Sequence, residues 1–204
     1  MPLATPVFYL PGIIALAVIT ACYTNLAIGI AFARDRGILR HLHGSPMPVW
    51  GFVAARMVHA VAVAVLLGAS LIGLDAALFN IAPPANRFLP ILVFIIAGGT
   101  VYSALGLAVT GLIPNADAAS ALVNATILPV LLVSSVFFPT EAAPAWIRQI
   151  ASLFPVRPFV GMLRMGLGIP GSGFDLGNLV VLVLWGALSE GIATRFFSWE
   201  PRRS

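Results

Sequence analysis

Residues 11–36 read PGIIALAVITACYTNLAIGIAFARDR, and this stretch decides the fold class. No charged side chain precedes Arg34, so the chain begins with a run of 33 uncharged residues. About 20 consecutive apolar residues are enough for a helix to cross a bilayer. The stretch therefore predicts a membrane-spanning helix over residues 11–32, with a charged exit at Arg34, Asp35 and Arg36.

The composition extends this prediction to the whole chain of 204 residues. Hydrophobic residues make up 60% of it and charged residues 9%, whereas soluble domains carry about 25% charged residues. The alternative is a soluble protein with an unusually apolar core. No apolar stretch alternates with the two-residue period of a membrane strand. We expect one all-α transmembrane domain over 1–204, a bundle of five spans at 11–32, 49–74, 88–113, 117–137 and 176–197.

The residue inventory argues against catalysis. All 11 basic residues are arginines, so the chain has no P-loop lysine and no amine for Schiff-base chemistry. Cys22 is the single cysteine, and His41, His43 and His59 have no nearby Cys or carboxylate to complete a metal site. We expect no catalytic residue, metal or cofactor in this chain. The net charge of +4 is too diffuse to indicate nucleic-acid binding.

Arginine positions predict the topology. One cluster follows the first span and a second ends the fifth span, so four spans separate them and both lie on one side. The positive-inside rule assigns that side to the cytoplasm, with the C-terminus inside and the N-terminus outside for five spans. The first cluster is Arg34, Arg36 and Arg40, and the second is Arg195, Arg202 and Arg203. Four arginines weigh against this assignment because they would lie outside: Arg87, Arg148, Arg157 and Arg164.

Residues 139–168 differ in character from the spans. Apolar residues at helical spacing and a Pro-rich break at Pro155 and Pro158 predict two short amphipathic helices. We expect them to dip into the outer leaflet or to lie on it; an ordinary interfacial loop is the alternative. The residues that mark these outer helices are Trp146, Ile150, Phe154, Arg157 and Arg164.

Charged residues within spans are costly, and they suggest function by default. Arg56 and His59 lie early in the second span, Asp75 closes it, and Glu190 is the deepest charge in the fifth. An ion or proton relay is one interpretation. The other is that these side chains extend to the membrane surface. Polar residues that could contact an amphipathic substrate inside the bundle are Tyr23, Asn25, Asn124, Thr126, Ser134 and Ser135.

The stretch between the first two spans, ARDRGILRHLHGSPMPVW at 33–50, predicts a short cytoplasmic helix over 34–42. Ile38, Leu39 and Leu42 would form an apolar stripe beside the arginines, and the Gly- and Pro-rich run 44–48 would end the helix. Such a helix could anchor to anionic lipid headgroups or dock on a cytoplasmic partner. The residues alone leave both possibilities open.

Several stretches, in order along most of the chain, resemble the permease subunits of type-2 ABC exporters, especially the daunorubicin-resistance-like branch. They are YLPGIIALAVITACYTNLAIGIAFARDRG, ILRHLHGSPMP, ALGLAVTGLIPNADAASALVNATILPVLLVSSVFFP, PAWIRQIASLFPVRPFVGMLR and FFSWEPRR. Each motif alone is weak, and their order and spacing carry the resemblance.

The resemblance implies a subunit of the bacterial plasma membrane that exports drug-like or lipid-like compounds. Such permeases form homodimers or heterodimers, contact membrane lipid, and are driven by a separate cytoplasmic ATPase subunit that binds ATP and Mg²⁺. The segment 34–42 would be the coupling helix held by that ATPase. The implied coupling residues are Arg34, Asp35, Arg36, Gly37, Leu39, Arg40, Leu42, Gly44 and Pro46.

Two features depart from the family pattern. The family usually has six spans, so its first span is expected to be missing here. Ala33 and Ile38 stand where the family often carries Glu and Thr. The alternatives to an exporter subunit are a truncated or non-transporting membrane protein, and an ion-coupled secondary transporter that uses Arg56, His59 and Glu190.

Overall fold

The computed structural model describes residues 5–38, 49–79, 83–133, 149, 151–173 and 175–196, and every regular element in these ranges is helical. The elements are α1 (Thr5–Ile19), a π-helix (Thr20–Thr24), α2 (Asn25–Asp35), α3 (Val49–Phe79), a 3₁₀ turn (Ala85–Arg87), α4 (Phe88–Thr110), α5 (Ala116–Val133), α6 (Val156–Leu167) and α7 (Leu176–Phe196). The predicted all-helical fold class is confirmed for this part of the chain.

Four helical stretches of the described chain are long and apolar enough to cross a membrane: Tyr9–Asp35, Gly51–Phe79, Ala85–Thr110 and Leu176–Ala193. They correspond to the first, second, third and fifth predicted spans. The predicted span 117–137 coincides with α5, whose apolar stretch Ala116–Leu131 is shorter, and residues 134–137 lie outside the described ranges. The count of five spans therefore stays a prediction.

Two predicted boundaries were wrong. The second helix continues to Phe79, so Asp75 lies within α3 and is buried rather than closing the span. The third helix ends at Thr110, three residues before the predicted end. The N–H groups of residues 111–113 bond to carbonyls three residues back, and Pro114 has no N–H to continue the helix.

Helix α4 is the centre of the bundle and packs against α1, α2, α3, α6 and α7. Small residues in a membrane helix allow such close contacts. A Cβ atom at Gly99 would lie 3.3 Å from the Cys22 Sγ atom, and one at Gly106 would lie 2.9 Å from the Tyr23 carbonyl oxygen. The α4 surface at Gly106 therefore touches the backbone of the π-helix directly.

The π-helix joins α1 to α2 within the first span. The Asn25 N–H donates to the Thr20 carbonyl oxygen, which is the five-residue pattern that defines this geometry. Ala21, Cys22 and Tyr23 are all buried against the rest of the bundle. A π-turn inside a helix changes the direction in which its side chains point relative to a regular α-helix. Here the Tyr23 side chain points toward Thr126 of α5.

Helix α6 packs against α1, α4 and α7, and seven of its 12 residues are buried. The Phe159 ring lies against Gly98, where a Cβ atom would come within 2.1 Å of it. The same ring meets Tyr102 edge-on, with centroids 5.5 Å apart. A short helix is thus present where the second outer helix was predicted, and it is enclosed by the bundle. Trp146 and Ile150 of the first predicted outer helix lie outside the described residues.

The start of α6 is held to α7 by an aromatic contact. Trp185 Nε1 donates to the Leu153 carbonyl oxygen at 2.7 Å, and the Phe154 and Trp185 rings stack with centroids 6.1 Å apart. Trp185 comes nine residues after Leu176, which is about 14 Å along α7. Helix α6 therefore begins about halfway along the bundle and runs back toward the start of α7.

A Gly106→Ala substitution tests the close contact between α4 and the π-helix. The new methyl group would collide with main-chain atoms that cannot rotate away, so we expect a loss of about 1–3 kcal/mol in stability. Gly73→Ala is the matched control, because nothing lies within 4 Å of a Cβ atom there. Thermal unfolding of both variants in the same detergent is the measurement, and equal melting temperatures would contradict the packing.

Candidate functional site at the Arg34–Asp35 end of the bundle

Arg34 is buried, with 3% of its surface exposed, although it belongs to the charged exit of the first span. Its guanidinium donates to the Thr110 carbonyl oxygen at 3.2 Å and to the Ile113 carbonyl oxygen at 2.6 Å. A longer bond of 3.4 Å reaches the Pro114 carbonyl oxygen. These carbonyl groups belong to the last residue of α4 and to the turn that follows it. The last carbonyl oxygens of an α-helix have no N–H of the next helical turn to bind.

Asp35 binds the other side of the same turn. One carboxylate oxygen accepts a hydrogen bond from the Ala116 N–H, the first residue of α5. The Asn115 side chain accepts from the Ala118 N–H at 2.9 Å and so caps the same helix from within. Asp35 also lies beside Arg34, with 3.7 Å between Oδ1 and the Arg34 Nε.

Charge complementarity explains this pairing of residues with helix ends. A helix C-terminus carries partial negative charge and an N-terminus carries partial positive charge. Arg34 is therefore favourably placed at the end of α4, and Asp35 is favourably placed at the start of α5. We call these two residues and the turn Gly111–Asn115 the Arg34–Asp35 clamp. It joins α2, α4 and α5 at one end of the bundle.

The predicted continuous helix over 34–42 was wrong at its first residues. Helix α2 ends at Asp35, and Gly37 adopts a φ of 71°, a left-handed conformation that glycine adopts without strain. Arg34 was expected on an exposed basic face and is instead buried. Arg36 stays at the surface, with its guanidinium 5.6 Å from the centre of the Phe32 ring. The remaining predicted coupling residues, Leu39, Arg40, Leu42, Gly44 and Pro46, lie outside the described residues.

The structure brings two of the predicted substrate-path residues together. The Tyr23 hydroxyl lies 2.5 Å from the Thr126 hydroxyl. Thr126 also lies within hydrogen-bonding distance of the Val123 carbonyl oxygen, at 2.7 Å, so Tyr23 can supply the hydrogen between the two side chains. Asn25 and Asn124 are exposed and make no recorded contact with this pair. Ser134 and Ser135 lie outside the described residues.

The predicted outer arginines are partly enclosed. Arg157 and Arg164 are half-buried on α6. Arg87, which weighed against the predicted topology, donates to the Met165 carbonyl oxygen at 3.2 Å. Helix α6 ends there in a Schellman turn, with Gly168 at a φ of 74° and the Ile169 N–H bonded to the Arg164 carbonyl. Arg87 therefore stabilises a helix C-terminus, as Arg34 does at the other end.

The charges within spans do not form a relay among the described residues. Glu190, expected to be the deepest charge and to have a partner across the bundle, is exposed on α7, and His59 is exposed on α3. Arg56 is half-buried and lies 5.6 Å from the centre of the Phe52 ring. No group of three or more His, Cys, Asp or Glu side chains that could hold a metal ion occurs in the described ranges.

Three partners of the clamp were missed from the sequence. Asn115 carried a usable signal, because Asn directly before a helical run is a typical N-cap. The main-chain carbonyls of Thr110 and Ile113 carried none, since a carbonyl without a helical partner is identified only once the helix end is known.

The clamp and the helices around it lie within a segment that matches a known family. A model described as "ABC-2 type transporter" matches residues 3–167. The chain is also 22% identical over 157 residues to a protein of Escherichia coli (strain K12) named "Probable multidrug ABC transporter permease YbhR". A relative of the same name in Escherichia coli O157:H7 has the same identity. The match covers 77% of this chain and 42% of each relative, so the chain spans about two fifths of their length.

Substitutions at Arg34 test the clamp. Arg34→Gln removes the charged donor from buried carbonyls, and we expect a loss of about 1–3 kcal/mol in stability. Asp35→Ala should cost about 1 kcal/mol, as for other lost helix caps. Arg36→Gln is the matched control, because its guanidinium contacts only the exposed Phe32 ring among the described residues. Chemical unfolding in detergent measures all three, and an effect of Arg36→Gln as large as that of Arg34→Gln would contradict the clamp.

Proposed function

The chain belongs to the ABC-2 type transporter family, and from that premise we propose that it is the membrane-spanning permease subunit of an ATP-driven exporter. ATP and Mg²⁺ would bind to a separate cytoplasmic ATPase chain. The family match and the four candidate membrane spans support a multi-pass transport subunit. The arginine-only basic set supports the division of labour, because this chain has no lysine for a phosphate-binding loop.

The proposed cargo is a hydrophobic or amphipathic compound, drug-like or lipid-like. The relatives carry the word "multidrug" in their names, and the described interior offers few polar groups to a substrate. The Tyr23–Thr126 pair is a polar contact between the first span and the middle of α5. A cargo that passes between these helices would meet two hydroxyl groups in otherwise apolar surroundings, which suits molecules with few polar groups.

The Arg34–Asp35 clamp is the observation that carries the proposed coupling mechanism. The predicted ATPase-docking segment 34–42 starts at these two residues and continues beyond them at Arg36 and Gly37. Because Arg34 is bonded to the end of α4 and Asp35 to the start of α5, a displacement of this segment would act on three helices together. The mechanism needs no continuous helix from α2 into the loop.

We further propose that two permease chains associate in a bacterial plasma membrane. In the apolar 18-residue stretch of each helix, only 22% of the residues of α3 and 11% of those of α7 are buried within this chain. Their apolar surfaces therefore require lipid or a second permease chain as a cover. Ala193 of α7 packs with Leu107 and Ile30, so the end of α7 lies at the same end of the bundle as the clamp. We propose that this end faces the cytoplasm.

Reversing the charges of the loop tests the proposal. The tagged full chain would be purified in mild detergent from its native cell, and a co-purifying protein with a GxxxxGK[ST] loop would be identified by mass spectrometry. The double substitution Arg36→Glu and Arg40→Glu should reduce co-purification and export by about tenfold or more, because attraction at the interface becomes repulsion.

The double substitution Arg202→Glu and Arg203→Glu is the matched control. It makes the same charge change at the C-terminal end, which is predicted to lie on the same side of the membrane as Arg36 and Arg40. It should leave the complex with the ATPase intact. Unchanged ATPase recovery and unchanged export in the Arg36 and Arg40 variant would refute the coupling role. Failure to recover any such ATPase would favour a non-transporting membrane protein.

A further inference from the structure

Arg56 of α3 differs from the two arginines that cap helix ends. Its side chain is half-buried, and its Nε atom is shielded from solvent without a hydrogen-bond partner. None of the hydrogen bonds or ion pairs observed within the described ranges involves Arg56. Its guanidinium stacks over Phe52, and no acidic side chain of the described ranges forms an ion pair with it.

The guanidinium of Arg56 lies against Gly29 of α2. A Cβ atom at Gly29 would come within 3.4 Å of the Arg56 Nη2 atom and 3.8 Å of Cζ. Gly29 therefore leaves a recess between α2 and α3, and the positive charge occupies it. His59 is three residues further along α3 and is exposed, so a second nitrogen-bearing side chain lies within one helical turn of Arg56.

The recess lies close to one end of the membrane-spanning region. Arg56 follows the first residue of its candidate span, Gly51, by five residues, and Gly29 precedes the last residue of its span, Asp35, by six. At 1.5 Å per residue, Arg56 lies about 8 Å along its helix from Gly51, and Gly29 lies about 9 Å from Asp35. This depth is near the boundary between lipid headgroups and acyl chains.

An uncompensated guanidinium at this depth requires a counter-charge. A charge within the apolar region costs several kcal/mol unless a partner or water reaches it. A phosphate group suits a guanidinium because two of its oxygens can accept two parallel N–H bonds. Basic recesses between membrane helices at this level bind anionic headgroups, and phospholipids supply phosphates there at high local concentration.

We propose that Arg56, with Gly29 and His59, forms a binding site for the phosphate of a membrane lipid headgroup between α2 and α3. Arg56 supplies the charge and the paired donors. Gly29 supplies the space, and His59 supplies a further hydrogen-bonding group. The site requires that the chain is inserted in a membrane, and it requires no ATPase partner. The lipid site can therefore be refuted while the exporter function stands, and the exporter function can be refuted while the lipid site stands.

The full chain in a neutral detergent provides the test. Native mass spectrometry would count retained lipids, and thermal unfolding would be followed with added phosphatidylglycerol, dioleoylglycerol or inorganic phosphate. We expect phosphatidylglycerol to bind and stabilise the chain and dioleoylglycerol, which lacks the phosphate, to have no effect. Arg56→Gln should weaken phosphatidylglycerol binding by about tenfold or more, as expected for a lost charged hydrogen bond.

Two further variants separate the site from general charge and from misfolding. Gly29→Leu keeps every charge but fills the recess, and it should weaken lipid binding as Arg56→Gln does. Arg36→Gln removes the same charge outside the recess and should leave lipid binding unchanged. Arg56→Lys keeps the charge without the paired donors, should fold, and should bind lipid with intermediate affinity.

The outcomes distinguish a lipid phosphate from free phosphate as the occupant, and both from the absence of a site. Stabilisation by inorganic phosphate equal to that by phosphatidylglycerol would support the phosphate site and overturn a lipid as its occupant. Unchanged lipid binding in Arg56→Gln, or equal losses in Arg56→Gln and Arg36→Gln, would overturn the site altogether.

Discussion

The neutralisation of two adjoining helix ends is the constraint on which this end of the bundle depends. At the end of α4 the Thr110 carbonyl receives a long bond of 3.3 Å from the Ile113 N–H, and α5 begins a few residues later with N–H groups that have no helical partner. Arg34 and Thr110 are both buried, and a buried polar group left unsatisfied costs about 1–3 kcal/mol. Consecutive residues of opposite charge, Arg34 and Asp35, satisfy both ends from a third helix.

The same principle operates at the other end of the bundle, where it accounts for an arginine that contradicts the simple topology count. Arg87 lies at the start of α4 and donates to the last turn of α6. Its position follows from the helix end that it stabilises and carries little information about which side is cytoplasmic. Arginine counts predict topology best where the side chains remain in solvent, as Arg36 does, and less well where a helix end holds them.

The sequence was sufficient to predict the fold class and most helix positions. Long uncharged runs without the two-residue period of a membrane strand can cross a bilayer only as helices. The sequence could not show that Arg34 turns inward, since Arg34 and Arg36 are chemically identical and differ only in which helix ends lie nearby. Nor could it separate α6 from a helix on the membrane surface, because burial of Phe159 depends on Gly98, 61 residues earlier.

The distribution of polar contacts suggests which helices would move together during transport. Helix α5 is bound to the first span twice, through Asp35 at its start and through Thr126 near its middle. Its other described contacts with the bundle are apolar and can slide. Helix α4 is bound to the clamp at its last turn, and its glycines pack closely against α3, α6 and the π-helix. On the proposed function, a pull beyond Gly37 would therefore move α2 and α5 as a pair, with α4 as the pivot at Thr110. A path for the cargo would then open beside α5, where the Tyr23 and Thr126 hydroxyls lie.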